Sequence, residues 1–222
     1  MNTNTAIVFD LDGTLIDSAP DLQAIANAVL EPIGKGDISL DEAKSFIGKG
    51  VAVFVSRMMT SRDMGVDAGL HARLSTDFAK RYEVATEHSK LYPGVLKALE
   101  NLSSQGYALG MCTNKPMAPT KTVLAHFGLG EFFGAVVAGD TLSMRKPDAA
   151  PLLHCFDLLG ENDGRRLYVG DSEVDVETAV NAKVDMALFT EGYRKTPIEE
   201  LKHAYSFDQF NKLGNLAMDH FS

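Results

Sequence analysis

The chain has 222 residues, 45% of them hydrophobic and 23% charged, a balance that excludes disorder, collagen and coiled coil as the main structure. Its length allows one large domain or two small ones, with a core that needs no staples. With 21 Lys and Arg against 30 Asp and Glu the net charge is −9, which argues against broad binding of nucleic acid or an anionic membrane, since both need a basic footprint.

The first apolar run, Ala6–Phe9, is short and continuous, as expected of a strand buried on both faces. Residues 17–90 then carry several helix signals and no strand. Leu22, Ile25, Ala26 and Val29 form one apolar stripe. Ser39 followed by Glu42 predicts a capping box. Val51, Phe54, Val55 and Met58 form another stripe, and Leu70, Leu74, Phe78 and Tyr82 a fourth helix at four-residue steps. Four helices in succession predict a small all-helical domain, joined to the rest near Ile16–Ser18 and Ser89–Tyr92.

From about Pro93 helix and strand alternate. Val95, Leu96, Leu99 and Leu102 share a helix face that Gln105-Gly106 ends, and Tyr107–Cys112 follows as a strand. Val123, Leu124 and Phe127 precede Gly128, a residue suited to the left-handed position after a helix. Ala135–Ala138 is the next strand. Leu152, Leu153, Phe156 and Leu159 precede Gly160, and the runs Leu167–Val169 and Ala187–Phe189 complete the set. This alternation predicts an α/β fold with a doubly wound parallel sheet, a Rossmann-like core, from residues 1–16 and 91–222. The all-helical domain of residues 17–90 is inserted after the first strand.

In such sheets ligands bind beyond the carboxyl ends of the strands. After the first run comes Asp10-Leu11-Asp12-Gly13-Thr14, after the second Thr113-Asn114-Lys115, some residues past the third Lys146-Pro147, and after the fourth Gly170-Asp171-Ser172 with Asp175. Parallel strands bring all four groups to one edge. Clustered carboxylates repel unless a cation neutralises them; a hard divalent ion with oxygen ligands does so, and Mg²⁺ suits phosphate substrates. Lys and Thr side chains can hold phosphoryl oxygens, and a carboxylate can act as nucleophile through an aspartyl phosphate.

These four groups, in order, resemble the motifs of the haloacid dehalogenase superfamily, and the resemblance covers nearly the whole chain. It implies that the helical domain is that family's cap. It further implies that Asp10 is the nucleophile and that Asp12 protonates the leaving alcohol and then activates water. Thr113, Asn114 and Lys146 would bind the phosphoryl group. Asp10, the Asp12 carbonyl oxygen and Asp171 would hold Mg²⁺, with Asp175 supporting them, through water if not directly. An acid at position 12 disfavours the dehalogenase branch.

A finer resemblance is to the phosphoglycolate phosphatases, through Asp17-Ser18-Ala19-Pro20-Asp21-Leu22, Tyr92-Pro93-Gly94-Val95, Thr113-Asn114-Lys115 and Gly192-Tyr193-Arg194. It implies a small-molecule phosphate ester as substrate, 2-phosphoglycolate first. Nucleotidase, pyrophosphatase and sugar-phosphate phosphatase are the alternatives, followed by a phosphomutase and a non-catalytic binding protein. Two positions depart from the family pattern: Lys183 stands where Gly generally follows the helix, and Ala149 where many relatives have Pro. A carboxylate-bearing substrate needs a cationic or amide-rich contact. Lys49, in Gly48-Lys49-Gly50, is the first candidate, with Arg57 and Lys115 beside it.

The remaining signals are structural. Cys112 and Cys155 make neither a zinc spacing nor a disulfide framework, and Cys112 reads as a buried free thiol. The six His lack metal-ligand spacing. Met1-Asn2-Thr3-Asn4-Thr5 has no basic region, and the apolar segment after it is short and meets Asp10, so no signal peptide is expected. No apolar stretch has the length of a membrane span. The expected location is the cytoplasm, as a monomer or a homodimer.

Overall fold

The computed structural model describes residues 5–160 and 165–222; the expectation for Met1–Asn4 lies outside them. In chain order the elements are β1 (Thr5–Phe9), β2 (Ile16–Asp17), α1 (Ala19–Leu30), α2 (Leu40–Phe46), α3 (Val51–Ser61), α4 (Ala68–Tyr82), β3 (Lys90–Leu91), α5 (Val95–Ser104) and β4 (Ala108–Cys112). They continue with α6 (Met117–Phe127), β5 (Ala135–Val137), α7 (Ala149–Leu158), β6 (Arg165–Gly170), α8 (Glu173–Ala182), β7 (Asp185–Phe189), β8 (Tyr205–Phe207) and α9 (Leu213–Phe221).

Six strands form one parallel sheet in the order β5-β4-β1-β6-β7-β8. The strand β1 is central because all five of its residues are buried, and alternate residues serve opposite faces. Ile7 and Phe9 pack with α5, α6 and α9 through Leu99, Leu102, Val123, Leu213 and Phe221. Ala6 and Val8 face α7 and α8 through Leu152, Phe156, Val176 and Ala179. Each fully buried Leu or Phe stabilises these layers by about 1.5–3 kcal/mol. The helix α7 lies so close to the sheet that a Cβ at Gly110 would meet Cys155 Sγ at 2.7 Å. Strand β8 and helix α9 extend the core beyond the five runs read from the sequence.

Helices α1–α4 share their own apolar cluster, which includes Leu22, Val29, Phe54, Met58, Leu74 and Phe78, the stripes expected from the sequence. Ser39 and Glu42 form the capping box of α2. The two connections to the sheet are paired to each other: Ile16 opposes Leu91 and Asp17 opposes Lys90 in a short antiparallel ladder. Asp21 in α1 strengthens this junction by accepting from the N–H groups of His88 and Ser89, each at 2.9 Å.

The unusual helix end is that of α8. Lys183 occupies the left-handed position with φ 56°, so the turn that Gly generally makes is kept at a side-chain cost. Among the described residues no helix is long and apolar enough to cross a membrane.

Candidate active site

The carboxyl ends of β1, β4 and β6 converge where the strand order reverses around β1, the position at which open α/β sheets bind ligands. Asp10 follows β1 directly, and its N–H donates to Val169 O at 2.9 Å. The chain then turns at Gly13, with φ 87°. A Cβ there would lie 2.5 Å from Asp171 Oδ2 and 2.7 Å from the Tyr193 ring. Gly is therefore required at position 13 for both its φ and the close approach. Thr14 Oγ1 donates to Asp171 Oδ1 at 2.8 Å, and Tyr193 N to Asp171 Oδ2 at 2.6 Å.

Asp10, Asp171 and Asp175 each bring a carboxylate oxygen to within 4.8 Å of the others, and all three are buried. Their surroundings differ. Asp175 Oδ1 accepts from Lys146 Nζ and Tyr168 OH, each at 2.7 Å. Its Oδ2 accepts from Asp171 N, Ser172 N and Ser172 Oγ, at 3.3, 3.1 and 2.6 Å, closing the capping box of α8. Burial pushes the Asp175 carboxyl up, but Lys146 and these donors outweigh it and hold it below the usual range.

Asp10 has the opposite environment. Lys146 Nζ lies 2.8 Å from Asp10 Oδ1 as an ion pair without hydrogen-bond alignment, so Oδ1 is buried with no hydrogen-bond partner. Burial first, then the charges of Asp175 and Asp12, overcome the pull of Lys146 and raise the Asp10 carboxyl to about 7. Asp171 is likewise raised, by burial and by Asp175 and Asp10. Burial opposes the charge of Lys146, yet Asp10 and Asp175 outweigh it and hold the ammonium above its ordinary value.

Asp12 points elsewhere. Its Oδ1 lies 3.2 Å from Lys115 Nζ, and its Oδ2 accepts from Tyr82 OH at 3.2 Å. Lys115 Nζ also donates to Tyr82 OH at 2.7 Å and sits 4.0 Å over the Tyr82 ring. Burial lowers the Lys115 ammonium against the pull of Asp12. Lys115, one of the candidates for a substrate contact, lines the cavity at this sheet edge and is paired there with Asp12.

Thr113 is buried beside these groups, with its N–H on Val137 O at 3.0 Å. Asn114 lines the same cavity and ties two loops together. Its Nδ2 donates to Gly48 O at 2.8 Å and Lys146 O at 3.0 Å, and its Oδ1 accepts from Lys146 N at 3.0 Å. The amide thereby fixes Lys146 and the α2–α3 loop.

One cavity of about 330 Å³ is lined by Asp10, Asp12, Thr113, Asn114, Lys146 and Asp171 together with Lys49 and Arg57. Lys49 is exposed at the cavity, and Arg57 is half-buried. Arg57 Nη1 donates to Ser45 O and Phe46 O, each at 3.1 Å, which satisfies the end of α2. Phe54 and Phe78 supply apolar wall from α3 and α4.

Tyr82, Tyr168 and Tyr193 were not singled out as site residues by the sequence. Tyr82 ends an apolar stripe, and its phenol is the one polar group on that stripe. Tyr168 lies inside the run read as a strand, where nothing marks its hydroxyl as reaching Asp175 and Lys146. Tyr193 falls in a stretch carrying the resemblance, and its hydroxyl accepts from Ser18 N and Ala19 N and donates to Asp17 Oδ1.

The donor set fits one divalent cation. Four carboxylates and two ammonium groups leave a formal charge of −2 at the site, and Asp10 Oδ1 is a buried oxygen without a hydrogen bond. Hard oxygen ligands of this kind suit Mg²⁺.

Comparison with known proteins agrees with this geometry. The family profile described as "Haloacid dehalogenase-like hydrolase" matches residues 7–189. A phosphoglycolate phosphatase of Cereibacter sphaeroides is 44% identical over 211 residues, covering 95% of this chain and 96% of that protein. A phosphoglycolate phosphatase of Rhodospirillum rubrum is 38% identical, covering 95% and 89%. The crystal structure of a predicted phosphoglycolate phosphatase from Haemophilus somnus superposes with a TM-score of 0.89 at 30% identity, covering 97% and 99%. The chain belongs to the haloacid dehalogenase-like hydrolases, as a phosphatase.

Proposed function

We propose that the chain is a Mg²⁺-dependent phosphatase of small monoesters acting through an aspartyl phosphate, with 2-phosphoglycolate as first substrate and glycolate and phosphate as products. The observation that carries the reaction is Asp10 Oδ1, buried without a hydrogen bond and 2.8 Å from Lys146 Nζ. The substrate is supported by the relatives named phosphoglycolate phosphatase at 44% and 38% identity.

An Asp10 oxygen attacks phosphorus, and the ester oxygen leaves with a proton from Asp12. Asp12 then takes a proton from water, whose oxygen attacks phosphorus and releases phosphate and free Asp10. Lys146, Thr113 and the Asn114 N–H balance the charge on the phosphoryl oxygens. Asp10, Asp171 and the Asp12 carbonyl oxygen would hold the metal. With both oxygens already accepting hydrogen bonds, Asp175 supports it from behind. The bound ion supplies further positive charge where phosphoryl charge develops.

In this reading residues 17–90 act as the cap of a core made of residues 1–16 and 91–222. The cap excludes water during the first step and screens substrates. Tyr82 supports this, since it carries α4 onto Asp12. Lys49 and Arg57 face the substrate from the cap side.

The test is phosphate release from 2-phosphoglycolate and a panel of other esters, with Mg²⁺ or chelator, by wild type and Asp10→Asn. Mg²⁺-dependent release selective for 2-phosphoglycolate, lost in the variant, is expected. Release that persists in Asp10→Asn overturns the nucleophile assignment, and selective release from another ester overturns the substrate.

A further inference from the structure

Three cations from separate segments meet at the cavity: Lys49 between α2 and α3, Arg57 in α3, and Lys195 in the loop after β7. Lys195 was not among the substrate candidates from the sequence. Its Nζ donates to Ser45 O, the same carbonyl that Arg57 Nη1 holds at 3.1 Å. Two positive groups sharing one oxygen repel each other, and Lys49 adds to the repulsion. Among the described residues none of the three has a carboxylate within ion-pair distance. Glu173, whose charge acts on Lys195, turns its Oε1 to the backbone, accepting from Lys195 N and Thr196 N at 2.6 Å each. After burial, Arg57 and Lys49 are what lower the Lys195 ammonium, against Glu173.

Solvated cations normally spread apart, because their repulsion costs free energy and no contact offsets it. Here the loop after β7, whose Tyr193 also holds Asp171, fixes Lys195 against the helical unit. The hydrogen bonds to Ser45 O and Phe46 O use one nitrogen of Arg57 and one N–H of Lys195. Both residues line the cavity. The same cavity holds Asp10 and Lys146, which would receive the phosphoryl group.

We propose that Lys195 is a specificity-determining residue, which with Arg57 and Lys49 forms a clamp for a second anionic group on the substrate, a carboxylate close to the phosphate ester. This rests on the phosphatase reading above and deepens it. Lys195 belongs to the core, whereas Arg57 and Lys49 belong to the helical unit. A carboxylate bound among them therefore ties the two together over the reacting phosphate.

The test compares two esters, 2-phosphoglycolate and ethyl phosphate, which lacks the carboxylate. For Lys195→Met, the ratio of kcat/KM for 2-phosphoglycolate to that for ethyl phosphate should fall about ten- to a hundredfold, the effect of losing a charge-assisted hydrogen bond. The loss should lie in KM, and inhibition by glycolate should weaken in parallel. Lys195→Arg should restore most of the ratio. If Lys195 only satisfies the end of α2, Lys195→Met lowers the melting temperature and both activities together, and an unchanged ratio overturns the proposal. Should Lys195→Met fail to fold, Lys195→Arg and Arg57→Lys carry the ratio measurement, and an unchanged ratio in Arg57→Lys overturns the clamp. Should wild type prefer another ester, the same comparison is made with that ester and its uncharged analogue. Preference for an ester with no second anion overturns the clamp, while preference for a different dianionic ester overturns only the 2-phosphoglycolate reading.

Discussion

Asp10→Asn tests the electrostatics of the site without reference to any substrate. The Asp10 carboxyl is raised from its ordinary value of 3.8 to about 7, chiefly by burial. A raised carboxyl binds its proton more tightly folded than unfolded. Between the two values the native protein therefore carries the extra proton, and stability falls as pH rises through this window. At 1.36 kcal/mol per pKa unit the full penalty above pH 7 is about 4 kcal/mol. For a chain of this size that corresponds to about 8–16 °C in melting temperature. Asn keeps the shape and removes the titration.

The assay is thermal unfolding in chelator from pH 4 to pH 8.5, read as the difference between variant and wild type, in which most other titrations cancel. The variant should match wild type near pH 4 and gain on it progressively to about pH 7, with no further gain above. Mg²⁺ should stabilise wild type at pH 8, since it neutralises the same charge, and stabilise the variant less. A difference that does not vary with pH, or a variant less stable at pH 8, would refute the account of a buried carboxylate held at high free energy.

Other outcomes follow from single contacts. Tyr82→Phe loses the hydrogen bonds to Asp12 and Lys115 and should lower kcat/KM about tenfold, about 1.4 kcal/mol, with no change in the Mg²⁺ concentration needed; steady-state kinetics across a Mg²⁺ titration checks it. Lys183→Gly removes a side chain from a left-handed position and should raise the melting temperature by about 2–4 °C, from about 1 kcal/mol, with phosphate release unaltered. Burial pushes the Cys155 thiol up to about 12 and raises Cys112 as well. A thiol reagent at pH 8 should find neither thiol in the native protein and both after unfolding.

The sequence was most legible where one residue does one thing. The runs of β1, β4, β5, β6 and β7 are buried on both faces, so each reads as an unbroken apolar stretch. The stripes of α1, α3 and α4 have one apolar face, which periodicity reports directly. The acid and hydroxyl groups of the site lie at strand ends, and a parallel sheet must bring such ends together. Strand β8 escaped because it sits at the sheet edge with only Phe207 fully buried, so no continuous run marks it. The contacts of the Asn114 amide and the Lys115 ammonium were not legible for a different reason. Each could reach substrate or a neighbouring chain segment, and only the tertiary fold puts Gly48 O and Lys146 O before one and Asp12 before the other. Lys195 has no sequence signal at all, since an exposed Lys in a loop looks like a solvated one until Arg57 is found beside it.

The three carboxylates gathered at the sheet edge show how identical side chains are divided by their surroundings. Asp175 has five donors on its two oxygens and is held below its usual range. It is spent on positioning Lys146 and starting α8, and has little lone-pair density to offer a reaction. Asp171 has one donor on each oxygen, enough to fix its orientation while leaving capacity for a cation. Asp10 has an ion pair without an aligned hydrogen bond on Oδ1 and is raised to about 7. Asp10 and Asp171 are both raised while Asp175 is lowered, and of the two raised groups Asp10 has the less satisfied oxygen, which leaves that oxygen free to form a bond to phosphorus or face a metal ion. Sequence spacing alone cannot rank them, because all three are Asp after a strand or one helical turn later. The count of donors around each oxygen does rank them, and the order it gives is that of the roles proposed: reactive group, metal ligand, strut.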